Sequence, residues 1–189
     1  MAVLPIYVYD QAVLKRRAKP VQKVDQNLMK LVDDMFETMR KANGIGLAAN
    51  QVGSLQRIVT IDVSSMEGME GAKPLALLNP RIVEEEGEVV MEEGCLSLPD
   101  LRDEVVRPEQ VTMEYVDLDL QEHSIKADGI LARVLQHEID HLNGVLFIDR
   151  LGSVRRKLLR GRLNKILKGE IEANYPIVVS TQIPEPHMR

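Results

Sequence analysis

Tryptophan is absent from this chain and aromatic residues make up only 3% of it. Platforms on which single-stranded nucleic acid could stack are therefore scarce, and no DNA partner is expected. Cysteine occurs once, at Cys95, which excludes an internal disulfide and fits a reducing compartment. No run of about eighteen apolar residues is present to cross a bilayer, and the opening MAVLPIYVYD lacks a basic stretch followed by an apolar one. The expectation is a cytoplasmic protein with no membrane partner. Internal repeats and low-complexity linkers are also missing.

What remains is ordinary globular material. The 189 residues are 44% hydrophobic and 28% charged, enough for one aliphatic core in which nine methionines fill the space that aromatics do not. Charge is uneven. Residues 153–168, SVRRKLLRGRLNKILK, hold seven basic residues and no acid, so with −5 overall the rest of the chain carries −12.

From Asp25 to Lys41 the residues Leu28, Leu31, Val32, Met35, Phe36 and Met39 follow helical spacing, with Asp25 as N-cap and Asn43-Gly44 as stop. Residues 57–63 and 75–80 read as strands, and 81–94 as a hairpin or bent strand pair around Gly87. Residues 110–120 alternate cleanly, and 123–129 can return antiparallel to them. A second helix carries Ile130, Val134, His137 and His141 along one stripe and ends at Asn143-Gly144. In 153–168, Val154, Leu158, Leu159, Leu163, Ile166 and Leu167 predict an amphipathic helix with a cationic outer face. Without βαβ alternation, the fold class is α+β: mostly antiparallel short sheets packed around a central helix, with a C-terminal helix. The tail from 170 to 189 has three prolines and is expected to lie extended, with His187 incidental; His123 reads as a solvated turn residue.

The chemistry lies in QHEIDH. Four helical residues advance about 400°, so His137 and His141 project on one side about 6 Å apart along the axis, a spacing that lets two imidazoles grip one ion. Glu138 is turned about 100° away and can approach a water beside that ion. His-Glu-x-x-His on a helix is a metal-hydrolase pattern; two solvated imidazoles on a surface helix are the alternative. A third ligand decides between them. Downstream of His141 the candidates Asp149, Glu170, Glu172, Glu185 and His187 fall in no familiar spacing, whereas Cys95, in EEGCLSLPD, offers a thiolate suited to a borderline ion.

GIGLAANQVG (44–53), EGCLSLP (93–99) and QHEIDHLNGVLF (136–147) together resemble the three signature segments of the peptide deformylase family, in the same order, and the likeness runs from the first helix to about Leu151. The resemblance implies a hydrolase that removes the N-formyl group from the initiator methionine of nascent polypeptides and releases formate. It implies one divalent metal ion on Cys95, His137 and His141, ferrous iron in the cell, with zinc, nickel or cobalt able to occupy the same place. It further implies that water attacks the formyl carbon while Glu138 takes its proton and returns it to the leaving amine, with the Gln51 side-chain amide and the Leu96 backbone N–H steadying the oxyanion.

Ile45, Gly46 and Gly94 correspond to positions that hold substrate as an added strand, and Ile45, Ile130, Val134 and the His137 ring are candidates for a methionine pocket. Arg133 stands where many members of the family it resembles have an apolar residue, and is expected at the pocket rim, its guanidinium reaching water. Arg102 matches a position that contacts substrate carbonyls. Glu93 is expected to orient loop groups around Cys95 and Asp140 to be structural. The basic helix, about 153–168, is expected to dock on the ribosome, and residues 1–169 to form a single catalytic domain that includes it. Two rivals share parts of this pattern: a zinc metallopeptidase, and a non-catalytic, metal-stabilised ribosome-binding module.

Overall fold

The computed structural model describes residues 1–179. Asp25 accepts a hydrogen bond from Leu28 N at 3.0 Å and opens helix α1, Gln26–Lys41. Such a cap stabilises a helix by about 1 kcal/mol. The stripe predicted for α1 buries Leu28, Val32, Met35 and Met39, and the helix stops at Asn43, which adopts φ 55°.

The described residues form three sheets. The largest is antiparallel throughout, in the order β2 (Gly46–Ala48), β3 (Ile58–Ile61), β4 (Leu75–Glu86), β7 (Gln110–Val116), β8 (Glu122–Ala127). Its edge strand β2 bonds only to β3 within the sheet. A separate antiparallel pair joins β5 (Val89–Cys95) to β6 (Leu98–Arg107). The third is a short parallel pair, β1 (Ile6–Tyr7) with β9 (Ile177–Val178).

Of the two readings for residues 81–94, a hairpin or a bent strand pair around Gly87, the structure shows two strands bent apart at that glycine and not paired with each other. β4 runs unbroken to Glu86, and Gly87, at φ 69°, turns the chain out of that sheet so that β5 pairs with β6 instead. β6 lacks a hydrophobic signature because its buried face is Leu101, Asp103, Val105 and Arg107: the alternation is there, but half of it is charged. Hydrophobic patterning cannot register an inward-facing ion.

Helix α2, Gly129–Leu142, is central. Every residue from Ala132 to Leu142 is buried. Val134, Leu135, Ile139 and Leu142 pack with Val59, Ile61, Leu77, Val111 and Met113 of the large sheet. At about 1.5–3 kcal/mol for each fully buried aliphatic side chain, this contact fixes where the helix lies. Helix α3, Ser153–Leu167, turns Leu159, Leu163 and Ile166 onto Val8, Leu98, Leu101 and Phe147. Its expected stripe is narrower than the sequence suggests, because Val154 and Leu158 are 73% and 70% exposed. Arg155 clamps α3 to β6 through Asp103, at 2.8 and 2.7 Å.

Of the tail from Glu170, residues 170–179 are described and hold the two-residue strand β9; the last ten residues, with His187, fall outside the described residues. His123 is on β8 rather than in a turn, stacked on Tyr115 and bonded to Asp117 at 2.6 Å.

Candidate metal centre

Because α2 is enclosed, its imidazoles are not solvated. His141 is 0% and His137 8% exposed, which removes the surface-helix alternative. Cys95 closes β5, and a register shift after Gly94 leaves Leu96 and Ser97 as a two-residue turn into β6. That turn carries the sulfur to α2. Cys95 Sγ lies 3.2 Å from His141 Nε2, and His141 Nε2 lies 3.2 Å from His137 Nε2. One ligand atom from each of the three residues falls within 4.8 Å of the others.

The donors suit a cation. Two ring nitrogens that both present lone pairs repel at this separation unless positive charge lies between them. Burial opposes charge on His137, but Cys95 and Glu93 outweigh it and hold this imidazole well above its ordinary value. Burial and the neighbouring His137 push His141 well below its own. A single positive charge is thus favoured in the cluster, and a thiolate with two imidazoles is a donor set for a borderline divalent ion.

Around these atoms the chain supplies a fixed frame. Glu93 binds His137 Nδ1 at 2.8 Å. Burial raises Glu93, but His137 and Arg107 prevail and keep it ionised, well below the usual carboxylate range. Arg107, with its side chain 0% exposed, reaches Glu93 at 2.5 and 2.9 Å and Asp140 at 2.7 Å. Asp140 is also held by Arg150, at 2.5 and 2.6 Å, in agreement with a structural role. The Asn50 side-chain amide donates to the His141 carbonyl, and Phe147 stacks on the His137 ring with centroids 6.2 Å apart.

Glu138 is buried against β2. A Cβ added to Gly46 would come within 2.5 Å of Glu138 Oε1, so the glycine exists to admit the carboxylate. Burial pushes Glu138 up to about 7. Its Oε2 and the Nδ1 of His141 are buried with no partner among the described residues. Gln51 Oε1 accepts from Ala48 N at 2.9 Å, which fixes the amide so that Nε2 faces Ser97 Oγ at 3.1 Å and Cys95 Sγ at 3.7 Å.

The other expected residues divide. Ile45, Ile130 and Val134 belong to one apolar cluster. Ile130 also lines a cleft of about 490 Å³ with Met69, Gln110, Lys126 and Leu131, to which Cys95, Glu138 and the two histidines contribute nothing. Gly94 lies opposite Arg102 in the β5–β6 register, and Arg102 is 70% exposed and paired with Glu92 at 3.4 Å. Leu96 sits in the turn beside Cys95.

Arg133 is not at a rim. It is 3% exposed and donates to Glu93 at 2.7 Å, the Val105 carbonyl at 2.9 Å and the Val89 carbonyl at 2.9 Å. A buried carboxylate and two hairpin carbonyls satisfy the guanidinium better than a short reach to water could. Glu93 likewise orients the His137 ring rather than the loop around Cys95. Arg107 had no sequence signal beyond its place in an unrecognised strand.

This α+β frame and the buried thiol–imidazole cluster beside Glu138 are those of a metal-dependent hydrolase. The family model for polypeptide deformylase matches residues 3–157. Peptide deformylases of Salinibacter ruber and Chlorobium luteolum are 48% and 46% identical, each over 93% of this chain and 94% and 92% of their own. The crystal structure of a peptide deformylase from Legionella pneumophila has a TM-score of 0.82 at 40% identity, covering 89% of this chain and 98% of that one. Another, from Ehrlichia chaffeensis in complex with actinonin, has a TM-score of 0.81 at 43% identity, covering 91% and 100%. The chain belongs to the polypeptide deformylase family.

Proposed function

We propose that this protein removes the N-formyl group from the initiator methionine of nascent polypeptides in the cytoplasm, releasing formate. The observation that carries the reading is the convergence of Cys95, His137 and His141 beside the buried carboxylate of Glu138. A divalent ion held by these three side chains would supply Lewis acidity to the formyl carbonyl and the attacking water. We assign ferrous iron in the cell, with zinc, nickel or cobalt able to take the same ligands.

The residues of the chain do the rest. Glu138 takes a proton from water as its oxygen bonds to the formyl carbon, then delivers that proton to the amide nitrogen as the C–N bond breaks, leaving formate and a free amine. The amide of Gln51 is held with its N–H groups toward Cys95, and it and the Leu96 N–H donate to the oxyanion. Substrate main chain adds at the edge of β2, at Ile45 and Gly46, and along β5 at Gly94, with Arg102 at a substrate carbonyl. Main-chain pairing suits an enzyme that must accept nearly any sequence after its first residue. Ile45, Ile130, Val134 and the His137 ring receive the methionine.

Residues 1–169 carry the catalytic groups, and the segment that follows packs on them through β9. The cationic face of α3 docks on ribosomal RNA, supported by a helix that keeps Leu159, Leu163 and Ile166 inward and, Arg155 on Asp103 aside, turns its basic residues outward. Salt-sensitive cosedimentation with ribosomes tests that docking, and salt-indifferent binding contradicts it.

Formate release from an N-formylmethionyl peptide tests the activity. Glu138→Gln is expected to retain its metal and lose roughly 10²–10⁴-fold in kcat. An unchanged rate would remove Glu138 from the reaction.

A further inference from the structure

The turn beside Cys95 is pinned from three separate parts of the chain. Tyr9 N donates to the Ser97 carbonyl at 2.9 Å. Gln51 Nε2 donates to Ser97 Oγ at 3.1 Å. Tyr175 OH donates to the Leu96 carbonyl at 2.9 Å. The last of these comes from beyond the family match, which ends at residue 157.

Its route is well supported. Gly169, at φ 71°, turns the chain after α3, and β9 then pairs with β1 through Ile6 N to the Pro176 carbonyl at 2.8 Å and Val8 N to the Val178 carbonyl at 3.1 Å. The same β1 leads into Tyr9, so two of the three anchors rest on one strand pair. The Tyr175 ring packs with the cluster that includes Ile6, Leu47 and Leu78, and partly buried Leu96 joins it.

We propose that Tyr175 is a positioning residue for the deformylation reaction, its hydroxyl holding the Leu96 peptide in register with Cys95. A two-residue turn has little internal restraint, so its backbone angles are set by whatever grips it from outside. The Leu96 carbonyl belongs to the Leu96–Ser97 peptide unit, so losing the grip frees ψ of Leu96 and lets that unit tilt; the preceding unit, which bears the Leu96 N–H, is joined to it through φ of Leu96 and shifts with it. That donor is needed where charge develops, so the loss falls on the transition state and not on ground-state binding. The C-terminal segment thereby becomes part of the active-site frame.

The inference rests on the deformylase reading, and Tyr175→Phe tests it in the full-length, metal-loaded protein. The substitution keeps the ring and its packing and removes only the hydroxyl. We expect kcat to fall roughly tenfold, less than for outright loss of an oxyanion donor. KM should stay within about twofold and metal content should not change. Amide hydrogen exchange at Leu96 and Ser97 should accelerate while exchange in α1 does not. An unchanged kcat, a loss confined to KM, or unaltered exchange at the turn overturns the proposal. If the unsubstituted protein releases no formate, the deformylase reading fails by itself, and exchange at Leu96 and Ser97 still decides whether Tyr175 holds the turn.

Discussion

Glu93 on β5 and His137 on α2 meet at 2.8 Å, joining the strand that carries the sulfur ligand to the helix that carries the nitrogens. Because Glu93 is ionised, the proton of this bond belongs to His137 Nδ1, and Nε2 is left to face Cys95 and His141. The carboxylate therefore selects the tautomer that can ligate.

Removing that selection should weaken the metal site before it alters the chemistry. Glu93→Gln is expected to lower metal affinity roughly 10–100-fold, measured by competition with a chelator. Unchanged affinity would show that the ring is held by packing against Phe147 alone.

Arg133 offers a test of where specificity does not lie. Arg133→Leu leaves Glu93 and the Val89 and Val105 carbonyls short of a donor inside the protein, so urea unfolding should show a loss of about 3 kcal/mol or more. The preference for formylmethionyl over formylleucyl peptides should not move. A changed preference with intact stability would return Arg133 to the pocket.

Glu138 links the site to pH. Its carboxyl is raised from 4.5 to about 7 by burial. Below 4.5 folded and unfolded chains both hold the proton and nothing is gained or lost. As pH rises toward 7 the unfolded chain releases it and the folded one does not, so folding grows progressively less favourable, by about 3 kcal/mol in full. In metal-stripped protein Glu138→Gln should therefore match the parent near pH 4.5 and exceed its stability near pH 7. A bound cation draws the carboxyl down and shrinks the difference. Parallel unfolding curves across that range would contradict the assignment.

Gly46 tests the other side of the same carboxylate. Gly46→Ala places a methyl where Glu138 Oε1 now lies, and a displacement of about 1 Å at a catalytic group can cost roughly 10²-fold in kcat. Metal content, which depends on the three ligands, should be unaffected.

Much of this architecture is legible from local spacing. The Asp25 cap, the α1 stripe, the pairing of β7 with β8 and the one-turn separation of His137 and His141 all follow from the chain within a few residues. Cys95 was reachable by asking what a two-histidine grip lacks. Contacts that carry no local period stayed hidden. Arg107 and Asp103 face inward on β6 and so disguise the strand; Arg133 reads as a rim residue until its carboxylate and carbonyl partners, far away in sequence, come into place. Tyr175 lies in a segment whose three prolines suggest only an extended tail, and the β1–β9 pairing shows how it reaches the turn.

The central claim is that sulfur from β5 and two nitrogens from α2 bind one ion together. X-ray absorption at the metal edge of zinc-loaded protein measures this directly. We expect one sulfur at about 2.3 Å and two imidazole nitrogens at about 2.0–2.1 Å, with the sulfur shell lost in Cys95→Ser. A first shell without sulfur, or one that Cys95→Ser leaves unchanged, would contradict the account.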